Sequence, residues 1–286
     1  MDNLQSINDV QMLIQQIRSE RKGFITNFFL DHFKHSLWID RNAFFYESFD
    51  DCFLLIKRNE TYSYLYFIST DMRALNKALV KFFRNYIGTC VVDLVGNDSI
   101  LPLKNKFVLW GFEEYELLYR MSRTGYPNVS LPIDEHIKKG VLGDVETIKI
   151  LLDACFDPLS EQIPSEEELG HFVKNGTVLV YKQNGSISGF IIYELTGVTL
   201  YLRYWFVIPE FREKKIGAKL FNAFMHEGAL SKRQMFWVIS RNENAIKRYL
   251  HYGFSPEKLY DYAGQAHHGG AAPLAPRKRD RAGRGR

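Results

Sequence analysis

The chain has 286 residues, a length that favours two compact domains, and we expect two. Because 46% of the residues are hydrophobic and 15% are aromatic, the chain can form packed cores, which excludes a largely disordered protein. The 37 basic and 33 acidic side chains give a formal net charge of +4. A charge this small gives no general indication of a nucleic-acid or membrane partner.

Cysteine usage and hydropathy indicate the compartment. The three cysteines, Cys52, Cys90 and Cys155, are widely spaced and lack the paired short spacing of a zinc site. We therefore expect neither a disulfide framework nor a metal, and this usage is typical of a reducing cytosol. No apolar run approaches the roughly 18 residues of a membrane-spanning helix, and the first residues do not resemble a targeting signal. The sequence predicts a cytoplasmic protein without a membrane partner.

Residues 263–286 differ from the rest of the chain in composition. They are rich in Gly, Ala, Pro and Arg, and their six basic side chains against one acidic give a charge of +5. The remaining 31 basic and 32 acidic side chains leave the body of the chain at −1, so we expect no nucleic-acid partner for the folded part. We predict a disordered basic tail. The alternative, a tail that binds nucleic acid, requires an affinity that falls steeply with salt.

Periodicity divides the first half into alternating helices and strands. Apolar residues recur at helical spacing over 7–17, which predicts an amphipathic helix. Asp71 is a suitable cap for a helix that runs to about Tyr86, and Gly111 is suited to ending a later helix. The other predictions are strands over 52–57, 62–68, 91–94 and 115–121, and a linker over 122–128.

The second half continues this pattern. Asn184-Gly185 between two alternating runs is a strong hairpin signal, Asp144 is a candidate helix cap, and Ser165 begins a capping box. The other predictions are strands near 137 and over 177–182, 187–195, 198–208 and 235–240, and helices over 216–230 and 245–252. The pattern predicts an α+β fold with a mixed central sheet flanked by helices.

One strand-to-helix turn carries chemical information. A buried strand runs through a basic turn into a helix that starts near Ile216. The first N–H groups of a helix are unpaired and its dipole adds positive potential, so such a turn is suited to a phosphate group. Arg212, Lys214 and Lys215 add positive charge, and Gly217 allows a ligand to approach the main chain.

Two sequence blocks make this signal specific. The first is Val207-x-Pro209-x-x-Arg212, with Gly217 five residues after the arginine. The second is Asn242-x-x-Ala245-x-x-x-Tyr249-x-x-x-Gly253-Phe254. In this order, on a strand, helix, strand and helix, the blocks resemble the GNAT superfamily of acetyl-CoA-dependent N-acetyltransferases. The resemblance covers about residues 133–262.

The resemblance implies acetyl transfer from acetyl-CoA, without a metal, to a primary amine of a small molecule or peptide. It also implies that the strand 201–208 bulges and separates from the strand 235–240. In such a site Asn242 hydrogen-bonds the cofactor, Tyr249 protonates the departing thiolate, and Glu194 or Tyr204 acts as the base, directly or through water. The implied cofactor-binding residues are Phe206, Val207, Ile208, Arg212, Glu213, Lys214, Lys215, Ile216, Gly217, Ala218, Asn242 and Tyr249.

The sequence departs from the family pattern at one position. Lys215 stands where the family's loop has its first glycine, and we expect its charge to compensate. The alternative is a non-catalytic module that binds or senses acyl-CoA, which the substitution of this glycine would favour.

An internal repeat is also indicated. Phe107-x-x-x-Gly111-Phe112 before a strand parallels the block at Tyr249, with Phe107 at the tyrosine position and no phosphate loop before it. We therefore predict a degenerate, non-catalytic GNAT-like domain over 1–128, the acetyltransferase domain over 129–262 and the tail over 263–286. The alternative for the first domain is an unrelated α+β fold.

Overall fold

The structure is a computed structural model that describes residues 1–129 and 131–269. The chain forms two compact units. The first contains Met1–Leu117 and the described residues from Leu259 onward, and the second contains Leu118–Lys258. Each unit has a mixed sheet flanked by helices, which confirms the predicted α+β class.

The described part of the first unit contains helices α1 to α4, strands β1 to β6 and the end of β13. Its helices are α1 (Ile7–Ser19), α2 (His32–Asp40), α3 (Met72–Phe83) and α4 (Leu101–Leu109). Its strands are β1 (Asp2–Asn3), β2 (Ile25–Thr26), β3 (Phe44–Phe49), β4 (Cys52–Arg58), β5 (Ser63–Ser69), β6 (Gly88–Gly96) and the end of β13 (Ser255–His268). The sheet order is β1-β3-β4-β5-β6-β13, with β2 also paired to β5. All of these pairs are antiparallel except β5 with β6, which α3 connects as a crossover helix.

The second unit repeats this plan. Its helices are α5 (Val145–Cys155), α6 (Glu166–Lys174), α7 (Ile216–Glu227) and α8 (Glu243–His251). Its strands are the end of β7 (Glu113–Thr124), β8 (Ile137–Lys139), β9 (Val178–Gln183), β10 (Ser186–Thr196), β11 (Thr199–Val207) and β12 (Arg233–Ile239). The sheet order is β7-β12-β11-β10-β9-β8, and the parallel pair here is β11 with β12. Helices α5 and α6 cover one face, and α7 and α8 cover the other.

Local turn chemistry agrees with several predictions. Asn184 and Gly185 have φ angles of 49° and 80°, as a two-residue hairpin turn requires, and they join β9 to β10. The side chain of Asp71 accepts from the first turn of α3, and Ser165 forms its capping box with Glu168. Asp144 differs from its prediction, because its carboxylate accepts from the Val141 N–H at 2.9 Å instead of capping α5.

The compact units do not end where the sequence analysis expects. Residues 118–124 of β7 pair with β12 in the second unit, so part of the predicted linker over 122–128 is strand. Residues 260–268 of β13 pair with β6 in the first unit. Each sheet is therefore completed by a strand that begins in the other unit. Composition and local periodicity do not report such long-range pairing.

The predicted tail starts later than expected. Residues 263–268 belong to β13, where Ala263 and Ala266 are buried and His267 accepts or donates a hydrogen bond of 2.9 Å with Thr89. Residues 270–286, which carry the basic cluster, lie outside the described residues.

The segment that precedes β8 is held along α7. Asp134 forms an ion pair with Lys219 at 2.8 Å and accepts from His136, while Asn222 and His226 contact the Leu131 carbonyl oxygen. Burial works to raise the pKa of Asp134, but hydrogen bonds from Lys219 and His136 outweigh it and hold the pKa at about 2.

None of the helices in 1–129 and 131–269 has both the length and the apolar character needed to cross a membrane.

Truncation tests the role of β13. A chain that ends after residue 262 loses six residue pairs with β6, whereas a chain that ends after residue 269 keeps them. We expect the shorter chain to lose roughly 3 kcal/mol or more of unfolding free energy from the lost ladder. Urea unfolding followed by circular dichroism measures the difference. Equal midpoints for the two truncated chains would contradict the assignment of β13 to the first unit.

Acid titration tests the attachment of Asp134. Its folded-state pKa of about 2 lies below the ordinary range of an aspartate, so its contribution is present above about pH 4 and is lost as the pH falls through 2. At pH 7 we expect Asp134→Asn to lower the unfolding free energy by roughly 1 kcal/mol, less than the full pKa shift implies, because solvent screens this partly exposed carboxylate. Variant and parent should converge near pH 2 in thermal unfolding. A difference that stays constant from pH 7 to pH 2 would show that this carboxylate is not held by Lys219 and His136.

Candidate active site

The candidate site lies where β11 and β12 separate. The two strands pair in parallel from Thr199 with Arg233 to Leu202 with Phe236, and the pairing ends there. Against β10, the register shifts so that Ile192 faces Tyr204 and Tyr193 faces Leu202, which leaves Arg203 as an extra residue. A bulge of this kind bends a strand and redirects its side chains. The observed bulge and separation are those that the family resemblance implied.

The bulge reverses the faces of β11. Leu202 before it packs in the core under α7 and α8, whereas Tyr204 and Phe206 after it pack in the core under α5 and α6. Trp205 and Val207 consequently face α7 and α8. This places an indole beside the separating strands, at a position to which the sequence analysis assigns no role.

Main-chain groups at the end of β11 alternate in direction. A Cβ added to Gly189 on β10 would lie 2.8 Å from the Phe206 carbonyl oxygen, and the Ile208 N–H donates to Ser188 at 3.0 Å. The Phe206 carbonyl and the Ile208 N–H therefore point toward β10. The Val207 carbonyl oxygen instead accepts from Arg212 Nε at 3.4 Å. The sequence analysis predicts main-chain contacts to a cofactor at Phe206, Val207 and Ile208. Of these, Val207 has its carbonyl on the side where β11 and β12 separate.

The turn after β11 is made without a glycine at Lys215. Residues Pro209–Lys214 form a short 3₁₀ helix, and Lys215 follows with φ 58° and ψ 17°, in the left-handed region. This is the conformation that glycine adopts most readily. A lysine here is strained by about 1 kcal/mol, but the main chain still makes the turn.

The N-terminus of α7 is suited to an anion. No side-chain hydrogen bond is formed at its N-cap, so the first N–H groups lack the side-chain partner that several other helices of the described chain have. Arg212, Lys214 and Lys215 are exposed around it, next to the exposed Glu213. A Cβ on Gly217 would lie 3.3 Å from the indole of Trp205, so the glycine allows α7 to pack closely on β11.

The first turn of α8 holds the second predicted group. Asn242 is the N-cap, and its side-chain oxygen accepts from the Ala245 N–H at 3.2 Å. Its NH₂ group donates to no residue in the described part of the chain. The amide therefore retains donors for a ligand at the end of β12.

Tyr249 lies two turns further along α8, against the aromatic cluster. Its ring centre is 4.0 Å from that of Phe236 and 5.9 Å from that of Trp205. Burial raises the pKa of Tyr249 above its usual range. The phenol therefore carries its proton at neutral pH, which is the state that a proton donor requires.

The structure does not bring Glu194 and Tyr249 together. Glu194 is two residues from Ile192 on β10 and so lies on the α5 and α6 face, where it forms a 3.3 Å ion pair with Arg203. The Tyr204 hydroxyl donates to the carbonyl oxygens of Glu161 and Gln162 at 2.8 and 2.9 Å. Tyr204 thereby holds a loop in place, which argues against a role as base.

The corresponding strands of the first unit also separate. Parallel pairing of β5 with β6 covers only Ser63 with Cys90 and Tyr64 with Val91. Beyond these pairs, β2 pairs with β5. The side chain of Asn27 connects β5 to β6. Its Oδ1 accepts from the Phe67 N–H at 2.8 Å, and its Nδ2 donates to the carbonyl oxygens of Leu65 at 3.2 Å and Asp93 at 3.1 Å.

The start of α3, unlike that of α7, is capped by a side chain. Asp71 accepts from the N–H groups of Arg73 and Ala74, both at 2.8 Å, so a carboxylate takes the place that an anion would need. Phe107, at the position predicted to match the tyrosine, is buried and packs on Phe112 with ring centres 5.0 Å apart. The first unit thus has neither a free anion site at α3 nor a hydroxyl at this position.

Within residues 1–129 and 131–269, no group of three or more His, Cys, Asp or Glu side chains is arranged to hold a metal ion.

Solved structures share the fold. A GCN5-related N-acetyltransferase from Sphaerobacter thermophilus has a TM-score of 0.55 at 14% identity, covering 80% of this chain and 85% of its own. A GNAT-family acetyltransferase from Colwellia psychrerythraea has a TM-score of 0.52 at 13% identity, covering 93% and 98%. A tandem GNAT protein from the clavulanic acid biosynthesis pathway has a TM-score of 0.50 at 11% identity, covering 79% and 80%. At these identities the likeness concerns the fold alone.

Sequence comparison locates the family in the second unit. A search of curated proteins gave no match. Residues 145–254, however, match the sequence profile described as "Acetyltransferase (GNAT) family", which confirms the resemblance drawn from the blocks at Val207 and Asn242. The second unit of this chain therefore contains a domain of the GNAT acetyltransferase family.

Proposed function

We propose that the second unit is an N-acetyltransferase that moves the acetyl group of acetyl-CoA to a primary amine. The observation that carries the proposal is the juxtaposition of three features within one unit. The strands β11 and β12 separate, the N-terminus of α7 lacks a side-chain cap at one end of this separation, and the protonated Tyr249 lies near Phe236 at the other. A thioester cofactor needs such an extended site, with anion binding at one end and a proton donor at the other.

The residues present fit acetyl-CoA. The N–H groups at the start of α7, with Arg212, Lys214 and Lys215, suit the diphosphate. The main chain of Val207 and the NH₂ group of Asn242 suit the amide groups of the arm. When bound, acetyl-CoA supplies an acetyl thioester that is activated toward amines.

The residues of this site have distinct roles in the transfer. The amine nitrogen bonds to the carbonyl carbon, the carbon–sulfur bond breaks, and Tyr249 gives its proton to the departing thiolate. An N–H of β11 on the separating side stabilises the negative oxygen that forms during attack. The proton of the amine passes to water. Glu194 can receive it only through water, because its carboxylate is paired with Arg203. The acceptor remains a small-molecule or peptide amine.

A non-catalytic module that binds acyl-CoA is the second candidate. The placement of Glu194, away from Tyr249 and paired with Arg203, is the observation that favours it. Incubation with acetyl-CoA and a panel of amines, with detection of free thiol, separates the two candidates. Amine-dependent release of thiol supports the enzyme, whereas binding of CoA without release supports the module.

We further infer that the first unit is a degenerate copy that binds no CoA. Asn27 and β2 already pair with the main chain of β5, and Asp71 already accepts from the start of α3. A cofactor would have to displace these hydrogen bonds. The chain would then be a tandem protein with one working site. Its three cysteines form no disulfide bond, and we propose a cytoplasmic location.

Substitution of Tyr249 tests the role of its hydroxyl. We expect Tyr249→Phe to leave CoA affinity nearly unchanged and to reduce acetyl transfer at least tenfold, since loss of a general acid costs roughly 10²- to 10⁴-fold. Turnover and a CoA titration are measured on the same variant. Tyr252→Phe is the control, because its ring stacks on Phe221 in the same cluster. Equal turnover of Tyr249→Phe and the parent would reject Tyr249 as the proton donor.

Calorimetry on the full chain tests the asymmetry of the units. We expect one CoA per chain, with affinity that falls as salt rises because the contacts to phosphate are ionic. Arg212→Ala should weaken binding by about tenfold, the cost of a charge-assisted hydrogen bond. Arg73→Ala, in the first turn of α3, is the matched control and should change nothing. Two sites per chain, or weakening by Arg73→Ala alone, would contradict the assignment of the site to α7.

A further inference from the structure

Trp205 is the side chain that closes the helix side of the separating strands. The bulge at Arg203 turns Trp205 toward α7 and α8, whereas its neighbours Tyr204 and Phe206 point to the opposite core. The indole is half-buried. Without the bulge, the alternation of the strand would place this residue on the other face.

The indole bridges the two helices. Its ring centre lies 5.1 Å from that of Phe221 on α7, with the planes inclined by 25°, and 5.9 Å from that of Tyr249 on α8. The guanidinium carbon of Arg248 lies 5.9 Å from the ring. Trp205 therefore contacts both helices that border the site, by stacking on Phe221 and by a tilted contact with Tyr249.

The inner end of the site is closed as well. Leu202 and Phe236 are the last paired residues of β11 and β12, and both are buried. The Phe236 ring lies 4.0 Å from that of Tyr249. A sulfur within hydrogen-bond reach of the Tyr249 hydroxyl would thus carry its acyl group into a space bordered by Phe236 and Trp205.

We infer that Trp205 limits the length of the acyl group, so that the site takes acetyl and similarly short acyl thioesters and excludes longer ones. The inference rests on the proposed function. The indole stands between Phe221 of α7 and Tyr249 of α8, in the direction in which a chain of several methylene groups would have to extend. Gly217 contributes to this limit, because its missing Cβ lets α7 approach the indole to van der Waals distance.

A comparison of thioesters tests the inference on the full chain. Binding of CoA, acetyl-CoA and hexanoyl-CoA is measured by calorimetry, and acyl transfer by release of thiol. For the parent we expect hexanoyl-CoA to be used at least tenfold less efficiently than acetyl-CoA, since each misplaced methylene in a fitted pocket costs roughly tenfold or more. Trp205→Ala should reverse or erase this preference while keeping affinity for CoA itself.

Two further variants keep the test interpretable. Trp205→Leu retains an apolar side chain and should shift the preference in the same direction if Trp205→Ala folds poorly. Trp237→Leu removes an indole from the opposite face of β12, where it lies over Arg120, and should leave the preference unchanged.

The outcomes separate the two proposals. A parent that binds CoA but uses hexanoyl-CoA as well as acetyl-CoA overturns the role of Trp205 alone. So does a preference that neither Trp205 variant alters. A parent that binds neither CoA nor either thioester overturns the proposed function and this inference together.

Discussion

The separation of β11 from β12 is the constraint on which the site of the second unit depends. An extra residue in β11 shifts its register against β10, and the parallel pairing with β12 stops at Leu202 and Phe236. From there on, main-chain groups such as the Val207 carbonyl lie on the side where β11 and β12 no longer pair, and Arg212 reaches one of them. Because main-chain polar groups require partners, such a geometry favours a ligand that can pair like a strand.

The first unit shows what happens when the chain supplies that partner itself. Its parallel strands β5 and β6 also separate early, but one amide side chain, that of Asn27, satisfies groups on both. The same contrast applies to the crossover helices. Asp71 supplies a negative oxygen to the start of α3, while α7 begins at a lysine in a left-handed conformation without a side-chain cap. The same plan therefore has its helix start capped by a carboxylate in the first unit and left without a side-chain cap in the second, where we propose that a ligand binds.

Sequence patterns predicted the parts of the site that are local. The basic turn, the start of α7 and the positions of Asn242 and Tyr249 on α8 follow from residue types at short spacing, and the structure has them on those elements. The pattern did not reveal that Lys215 adopts the left-handed conformation, because that is imposed by the turn and not by the residue. It also gave Trp205 no special role, since the face of a strand residue after a bulge is not readable from alternation.

Long-range pairing was the other limit. The strands β7 and β13 each pair in the unit where they end, and local composition instead indicated a linker at 122–128 and a tail from 263. The role of Asn27 is of the same kind, because its partners are about 40 and 66 residues away in sequence. Glu194 is a plausible base by residue type alone, and only the fold shows that its carboxylate is paired with Arg203 on the other face.

Amide hydrogen exchange with and without CoA tests the central claim most directly, because it reports on main-chain groups in both units of the intact chain. The account predicts that CoA slows exchange in residues 203–218, at the end of β11 and the start of α7, and leaves residues 63–74 unchanged. Protection of 63–74, or no protection of 203–218 at saturating CoA, would contradict it.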